Sequence, residues 1–220
     1  MVQPTTTGLN EKPMIAVIDY GAGNIRNVMK AMAFVNLPAK LTKDPAEILA
    51  ADGIVIPGVG AFKSAMQQMT AAQLVDPIQA AMAQGTPILG ICLGMQLLFD
   101  SSTEFGATLG LGLIPGKIVA LPENTGYKVP QMGWNQNQSR IDHPLTRGIA
   151  GEYTYFVHAY YAQTAPEYIA ASVDYGVEVP SIVMKDNVFG AQFHPEKSGE
   201  VGLRVWTAFA EMIQERRVQV

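Results

Sequence analysis

Short runs of wholly apolar residues alternate along the first hundred positions with stretches whose apolar residues return every three or four places. MIAVID (14–19) is apolar and β-branched and predicts a strand. Residues 24–36 follow with Ile25, Val28, Met29, Met32 and Val35 at helical spacing, and Asn24 stands where a helix cap belongs. GIVIP (53–57) predicts a second buried strand, and AFKSAMQQM (61–69) a helix. Residues 71–84 predict another helix, stopped by Gly85 and Pro87. TPILGI (86–91) reads as a strand again, and MQLLF (95–99) as the first turns of a helix that starts near Cys92. Buried strands alternating with helices predict a parallel sheet covered on both faces.

The second half changes character. KIVAL (117–121), YTYFVHAYYA (153–162) and EYIAASV (167–173) are strand-like pieces without helices between them. They predict hairpins or an extension of the sheet edge. VFGAQFHP (188–195) returns to a buried strand, and residues 199–214 predict a closing helix through Val201, Leu203, Val205, Trp206, Phe209 and Ile213. No linker interrupts this pattern, so residues 14–220 are expected to form one domain. Residues 1–13, MVQPTTTGLNEKP, are polar and lack an apolar h-region, and are expected to be a disordered extension rather than a signal peptide.

Composition narrows the partners. Hydrophobic residues make up 48% and charged residues 15%, enough for a large core and too few charges for disorder. A net charge of −4 argues against nucleic acid, whose phosphates call for clustered Lys and Arg. No run of 18 apolar residues is present to span a membrane. The single cysteine cannot form an internal disulfide, which fits a reducing, cytoplasmic setting.

That cysteine carries the chemistry. Gly90, Cys92 and Gly94 form G-x-C-x-G on a predicted strand-to-helix corner. The glycines permit a sharp turn that lifts the thiol out at the carboxyl edge of the sheet. The free N–H groups of the following helix favour a thiolate there. A buried structural cysteine would gain nothing from flanking glycines. A thiolate nucleophile needs a base and an orienting acid. His143 lies in a polar turn, and His158 lies within an aromatic strand. His194 ends the last apolar run, with Glu196 two residues on. In an extended strand both side chains point the same way, so the carboxylate can hold the imidazole. Leu93 N–H, next to the nucleophile, and Val59 N–H, between Gly58 and Gly60 in IPGVGAF (56–62), are candidate oxyanion donors.

GICLGMQLLF (90–99), PGVGAF (57–62) and FHPEKS (193–198) together resemble the class I, or triad, glutamine amidotransferases. DYGAGN (19–24), MGWN (132–135) and YFVHAY (155–160) make the chain look like the glutaminase subunits of imidazole glycerol phosphate synthases within that family. The resemblance implies a flavodoxin-like, three-layer α/β domain with added antiparallel strands. It implies glutamine hydrolysis through a cysteinyl thioester, without metal or cofactor. The ammonia would pass to a cyclase subunit of (β/α)8-barrel type in a heterodimer of histidine biosynthesis. Position by position, Cys92, His194 and Glu196 match the triad. Val59 and Leu93 match the oxyanion donors, and Gly60, Gln96, Glu104 and His158 match glutamine-binding positions. Asn24, Trp134 and Lys197 match positions near the partner. Ala159 departs from the serine expected after His158, which puts a minor substrate contact in doubt.

Two other readings stand beside this one. The chain could serve another glutamine-dependent synthase, or be a non-catalytic module on the same fold. MGWN with HPEKS speaks against the first and the complete Cys–His–Glu set against the second. Arg26, where G-x-G-x-x-G needs its third glycine, argues against a dinucleotide site, and no phosphate-loop motif occurs. Histidine and cysteine are too few and too scattered for zinc, and the 11 methionines read as core filler.

Overall fold

The structure is a computed structural model that describes residues 13–219 apart from 22, 124 and 125. The extension expected over residues 1–13 therefore lies, except for its last residue, outside the described residues. The first half runs β1 (Ile15–Ile18), α1 (Ile25–Phe34), β2 (Ala39–Thr42), α2 (Pro45–Ala50), β3 (Gly53–Ile56), α3 (Phe62–Ala71), α4 (Val75–Ala83), β4 (Ile88–Ile91) and α5 (Leu93–Leu97). The second half supplies β5 (Phe99–Ser102), β6 (Thr108–Leu109), β7 (Ile114–Ala120), β8 (Gln131–Gln136), β9 (Gln138–Ser139), α6 (Pro144–Arg147), β10 (Tyr153–His158), β11 (Tyr160–Gln163), β12 (Ile169–Asp174), β13 (Glu178–Lys185), β14 (Val188–Ala191) and α7 (Gly199–Gln219).

These elements form one α/β domain around an eight-stranded sheet in the order β2-β1-β3-β4-β14-β13-β12-β9. The five strands from β2 to β14 are parallel, as the alternating pattern predicts, and β13, β12 and β9 extend them antiparallel. β1, β3, β4 and β14 are buried at every position, which is why they read as unbroken apolar runs. One face packs on α1 and α7 through Val28, Met32, Trp206, Phe209 and Ile213. The other packs on α2, α3 and α4 through Ile48, Phe62, Met66 and Ile78. Each such side chain contributes roughly 1.5–3 kcal/mol on burial.

Several boundaries differ from the pattern. The helix expected over 71–84 begins at Val75, because Gln73 takes a left-handed φ of 55° that ends α3 and resets the chain. α5 lasts five residues, and Phe99 already belongs to a strand, so MQLLF is not the opening of a long helix. YTYFVHAYYA divides at Ala159. β10 pairs with β8 in a two-stranded ribbon, while β11 joins a separate sheet of order β11-β7-β5-β6. α7 runs five residues beyond its expected end.

Candidate active site

Asn24, the 57–61 turn, Cys92 and His194 follow β1, β3, β4 and β14 respectively, at the carboxyl ends of four adjacent parallel strands. That edge is where open α/β sheets bind ligands. Cys92 is the residue before α5 and holds φ 52° and ψ −109°. Such a conformation costs a non-glycine residue about 1–3 kcal/mol and persists only where its surroundings enforce it. They do so here through two backbone bonds, Cys92 N–H to Ala191 O at 2.7 Å and Gln96 N–H to Cys92 O at 3.1 Å. A Cβ at Gly94 would collide with the Ile56 carbonyl, so glycine is what lets α5 close against β3.

His194 and Glu196 are brought together, though not by strand alternation. β14 ends at Ala191, and Pro195–Lys197 form a 3-10 turn that folds the carboxylate back onto the imidazole. The strand expected through 195 ends at Ala191: the Gln192 N–H still meets the Ser181 carbonyl, but the His194 N–H turns to Tyr155 of β10, outside the sheet. His194 Nδ1 lies 2.7 Å from Glu196 Oε1, and both side chains are fully enclosed. The same oxygen accepts a bond from the Asn24 amide. Asn24 therefore precedes α1 as expected, but with φ 67° and no side-chain cap; its amide is spent on Glu196. Ser198 Oγ donates to the His194 carbonyl at 2.7 Å, and Gly202 lets α7 lie directly against Pro195.

Burial is the largest influence on His194 and lowers its pKa. The bonds and charges of Cys92 and Glu196 together outweigh it and hold the imidazole up at about 9. Nε2 is buried without an aligned hydrogen bond, yet Cys92 is near enough to act on it. Free sites commonly keep such bonds loose until substrate arrives.

A cavity of about 340 Å³ opens beside the sulfur. Val59, Gly60, Cys92, Leu93, Gln96, Glu104, His158 and His194 all line it, so the expected nucleophile, base, oxyanion and glutamine-binding positions converge, with Glu196 behind His194. Gly60 has φ +111°, a conformation that leaves the 57–61 turn to glycine. Ala159 lines the cavity without a hydroxyl. Glu104 is not a solvated loop carboxylate: its Oε2 accepts the Phe62 N–H at 2.7 Å, capping α3, which has no cap of its own. A larger groove of about 490 Å³ between α6 and α7 presents arginines already paired with Asp142 and Glu152 and no nucleophile.

His158 is buried, which lowers its pKa to about 4; its bond to the Tyr160 carbonyl opposes this, and nearby His194 adds to it. The ring is therefore neutral at pH 7. A carbonyl can only accept, so the proton sits on Nδ1, 2.9 Å from Tyr160 O. Nε2 is left as a buried lone pair without a partner. His143 is a turn residue as expected, accepting the Leu145 N–H at the start of α6.

Two residues at the site escape pattern reading. Tyr20 donates to the Pro57 carbonyl at 2.6 Å and pins the root of the 57–61 turn; burial, with the charge of Cys92 adding to it, pushes its phenol pKa up. Gln192, fully buried, reaches the sulfur with its side-chain amide. Tyr20 lies in DYGAGN and Gln192 two residues before His194, but no spacing with a chemical requirement singles either out.

Of the three residues expected near a partner, Asn24 is bonded to Glu196 behind the site, while Trp134 and Lys197 lie outside the cavity lining. Trp134 is 51% exposed on β8, edge-on to Tyr155 of β10. Lys197 Nζ stands 5.6 Å above the same tyrosine ring. Met132 is exposed and pairs with Val157, which lines the cavity, so this ribbon joins an apolar outer face to the cavity mouth.

Among the described residues no cluster of His, Cys, Asp and Glu could hold a metal ion, and no helix is long and apolar enough to cross a membrane. A cysteine on a strained corner, a His–Glu pair beside it and a glycine-rich turn across the cavity define a site suited to acyl transfer through a thiol. The family follows from sequence: the profile described as "Glutamine amidotransferase class-I" matches residues 16–208, and the chain belongs to that family. A relative from Lacticaseibacillus casei (strain BL23), named imidazole glycerol phosphate synthase subunit HisH, is 52% identical over 202 residues, covering 92% of this chain and 97% of its own. A protein of the same name from Lactiplantibacillus plantarum is 52% identical over 200 residues, covering 91% and 96%. The solved structure of PurLQS from Thermotoga maritima superimposes with a TM-score of 0.72 at 18% identity, covering 92% of this chain and 99% of the matched chain, and so shares the fold.

Proposed function

We propose that the chain is the glutaminase subunit of an imidazole glycerol phosphate synthase, working in the cytoplasm on histidine biosynthesis. The observation that carries this reading is the convergence of Cys92, the His194–Glu196 pair and the 57–61 turn on one cavity, in a chain half identical to proteins of that name.

The Cys92 thiolate attacks the γ-amide carbon of glutamine. The N–H groups of Val59 and Leu93 take up the developing oxyanion. His194, held by Glu196, gives its proton to the leaving ammonia. Water activated by His194 then cleaves the γ-glutamyl thioester and releases glutamate. Neutral His158 contributes an acceptor nitrogen to the cavity, while Gln96 and Glu104 hold the substrate. No cofactor takes part. The ammonia passes to a (β/α)8-barrel cyclase subunit in a heterodimer, which forms imidazole glycerol phosphate and AICAR. The exposed Met132–Trp134 face, with Tyr155, Lys197 and Asn24 around it, is the docking surface.

A glutamine analogue with an electrophilic carbon in place of the γ-amide tests the site. Intact mass should rise by one adduct, mapped to Cys92, and excess glutamine should protect. Labelling that glutamine does not slow would contradict the reading.

A further inference from the structure

We propose that Gln192 is a positioning residue for the thiol, holding the Cys92 sulfur and the Gln96 side chain in one fixed amide chain. The inference rests on the reading of Cys92 as the nucleophile. Gln192 follows β14 and is fully buried, and its backbone N–H is bonded to the Ser181 carbonyl at 3.0 Å. A buried amide is costly unless its side-chain groups find partners.

The partners fix which way the amide faces. The Tyr160 carbonyl can only accept, and it lies 2.8 Å from Gln96 Nε2. The NH2 end of Gln96 is thereby assigned. That NH2 is 3.1 Å from Gln192, whose facing atom must be the acceptor Oε1. Gln192 Nε2 is then at the other end, 3.9 Å from Cys92 Sγ. Reversing Gln192 would set two NH2 groups against each other and a carbonyl oxygen against the sulfur. One backbone carbonyl thus orders the chain Tyr160–Gln96–Gln192–Cys92.

The consequence is chemical. The Val157 carbonyl, 4.0 Å from the same sulfur, is an acceptor and favours S–H. The Gln192 N–H is a donor and favours the thiolate. Gln96 lines the cavity, so the amide that steadies the sulfur also steadies a wall of the substrate site.

Because the chain has one cysteine, alkylation by iodoacetamide reports this sulfur alone. The titratable groups around it are His194 with Glu196 behind it, Tyr20 from the turn after β1, His158 at the end of β10, and Glu104 across the cavity; none of them is altered in the variants. Rates read by intact mass across pH should show the profile of Gln192→Met displaced upward. At neutral pH the loss should be roughly three- to tenfold, the size of one modest hydrogen bond, with the high-pH plateau kept. Gln96→Met, which removes the donor that orients Gln192, should move the profile the same way by less. A Gln192→Met profile that overlies wild type, or a lowered plateau with an unmoved midpoint, overturns the proposal. If Gln192→Met does not fold, an unmoved midpoint in Gln96→Met overturns it. Failure of the glutaminase reading is seen separately, as wild-type protein that releases no ammonia from glutamine even with its cyclase partner added, while the alkylation shift persists.

Discussion

At the scale of single residues, the proposed mechanism requires one imidazole to be protonated when ammonia leaves. His194 carries the proton because Cys92 and Glu196 outweigh the cost of its burial and hold its pKa at about 9. The sign follows: as pH rises through about 9 the acid form is lost, and glutaminase activity should fall on that alkaline limb. Glu196 raises the pKa, so Glu196→Gln should bring the limb to lower pH while leaving partial activity. His194→Ala should cost about 10²–10⁴-fold, the usual loss of a general acid–base. An alkaline limb that does not move in Glu196→Gln, read from kcat against pH, would contradict this. Spacing marks Cys92, His194 and Glu196 as candidates: His-x-Glu is a weak signal by itself and gains weight only beside G-x-C-x-G, and the structure brings the three together. That spacing gives the right pair at 194 and 196 for a partly wrong local reason, because a 3-10 turn and not a strand joins them. The tie from Asn24 to Glu196 and the amide chain through Gln192 are not legible, because both are contacts between residues far apart in sequence.

Elements follow from the pattern where burial is complete and fail where it is not. β1, β3, β4 and β14 are buried throughout and are unmistakable as apolar runs. β2 and α2 go unassigned because they are short and largely exposed at the sheet edge, with little periodicity to read. The split of YTYFVHAYYA into two sheets is invisible too, since alternation says that a strand exists and not which strand it pairs with. α5 packs on β3 with no room for a side chain where Gly94 meets the Ile56 carbonyl. Gly94→Ala should therefore push α5 outward, destabilising the protein by about 1–3 kcal/mol, the usual range for overpacking. It should also lower activity by displacing Cys92. Chemical denaturation with a midpoint equal to wild type would show that the contact is not tight.

For the whole molecule, the fold and family are legible because the motifs sit at fixed points of a parallel sheet, whereas the docking surface depends on which residues the ribbon leaves exposed. Trp134, half exposed and edge-on to Tyr155, is the anchor the proposed docking surface would use. Trp134→Ala should weaken cyclase binding by about 2 kcal/mol or more, the threshold of an interface hot spot, as measured by calorimetry. The same substitution should blunt activation of the glutaminase. If docking acts on activity, the 57–61 turn is where it is expected to: between Gly58 and Gly60 the Val59 peptide can turn its N–H toward or away from the cavity, and one oxyanion donor is worth about 10²–10³-fold. At least about tenfold activation on partner addition is therefore expected.

The most direct measurement is ammonia released from glutamine by the purified chain together with its cyclase partner, wild type against Cys92→Ala. Wild-type protein should release ammonia at a rate that rises when the cyclase is added. Cys92→Ala should release essentially none, while its complex still forms product from added ammonium salt. Equal ammonia release by wild type and Cys92→Ala would contradict the account.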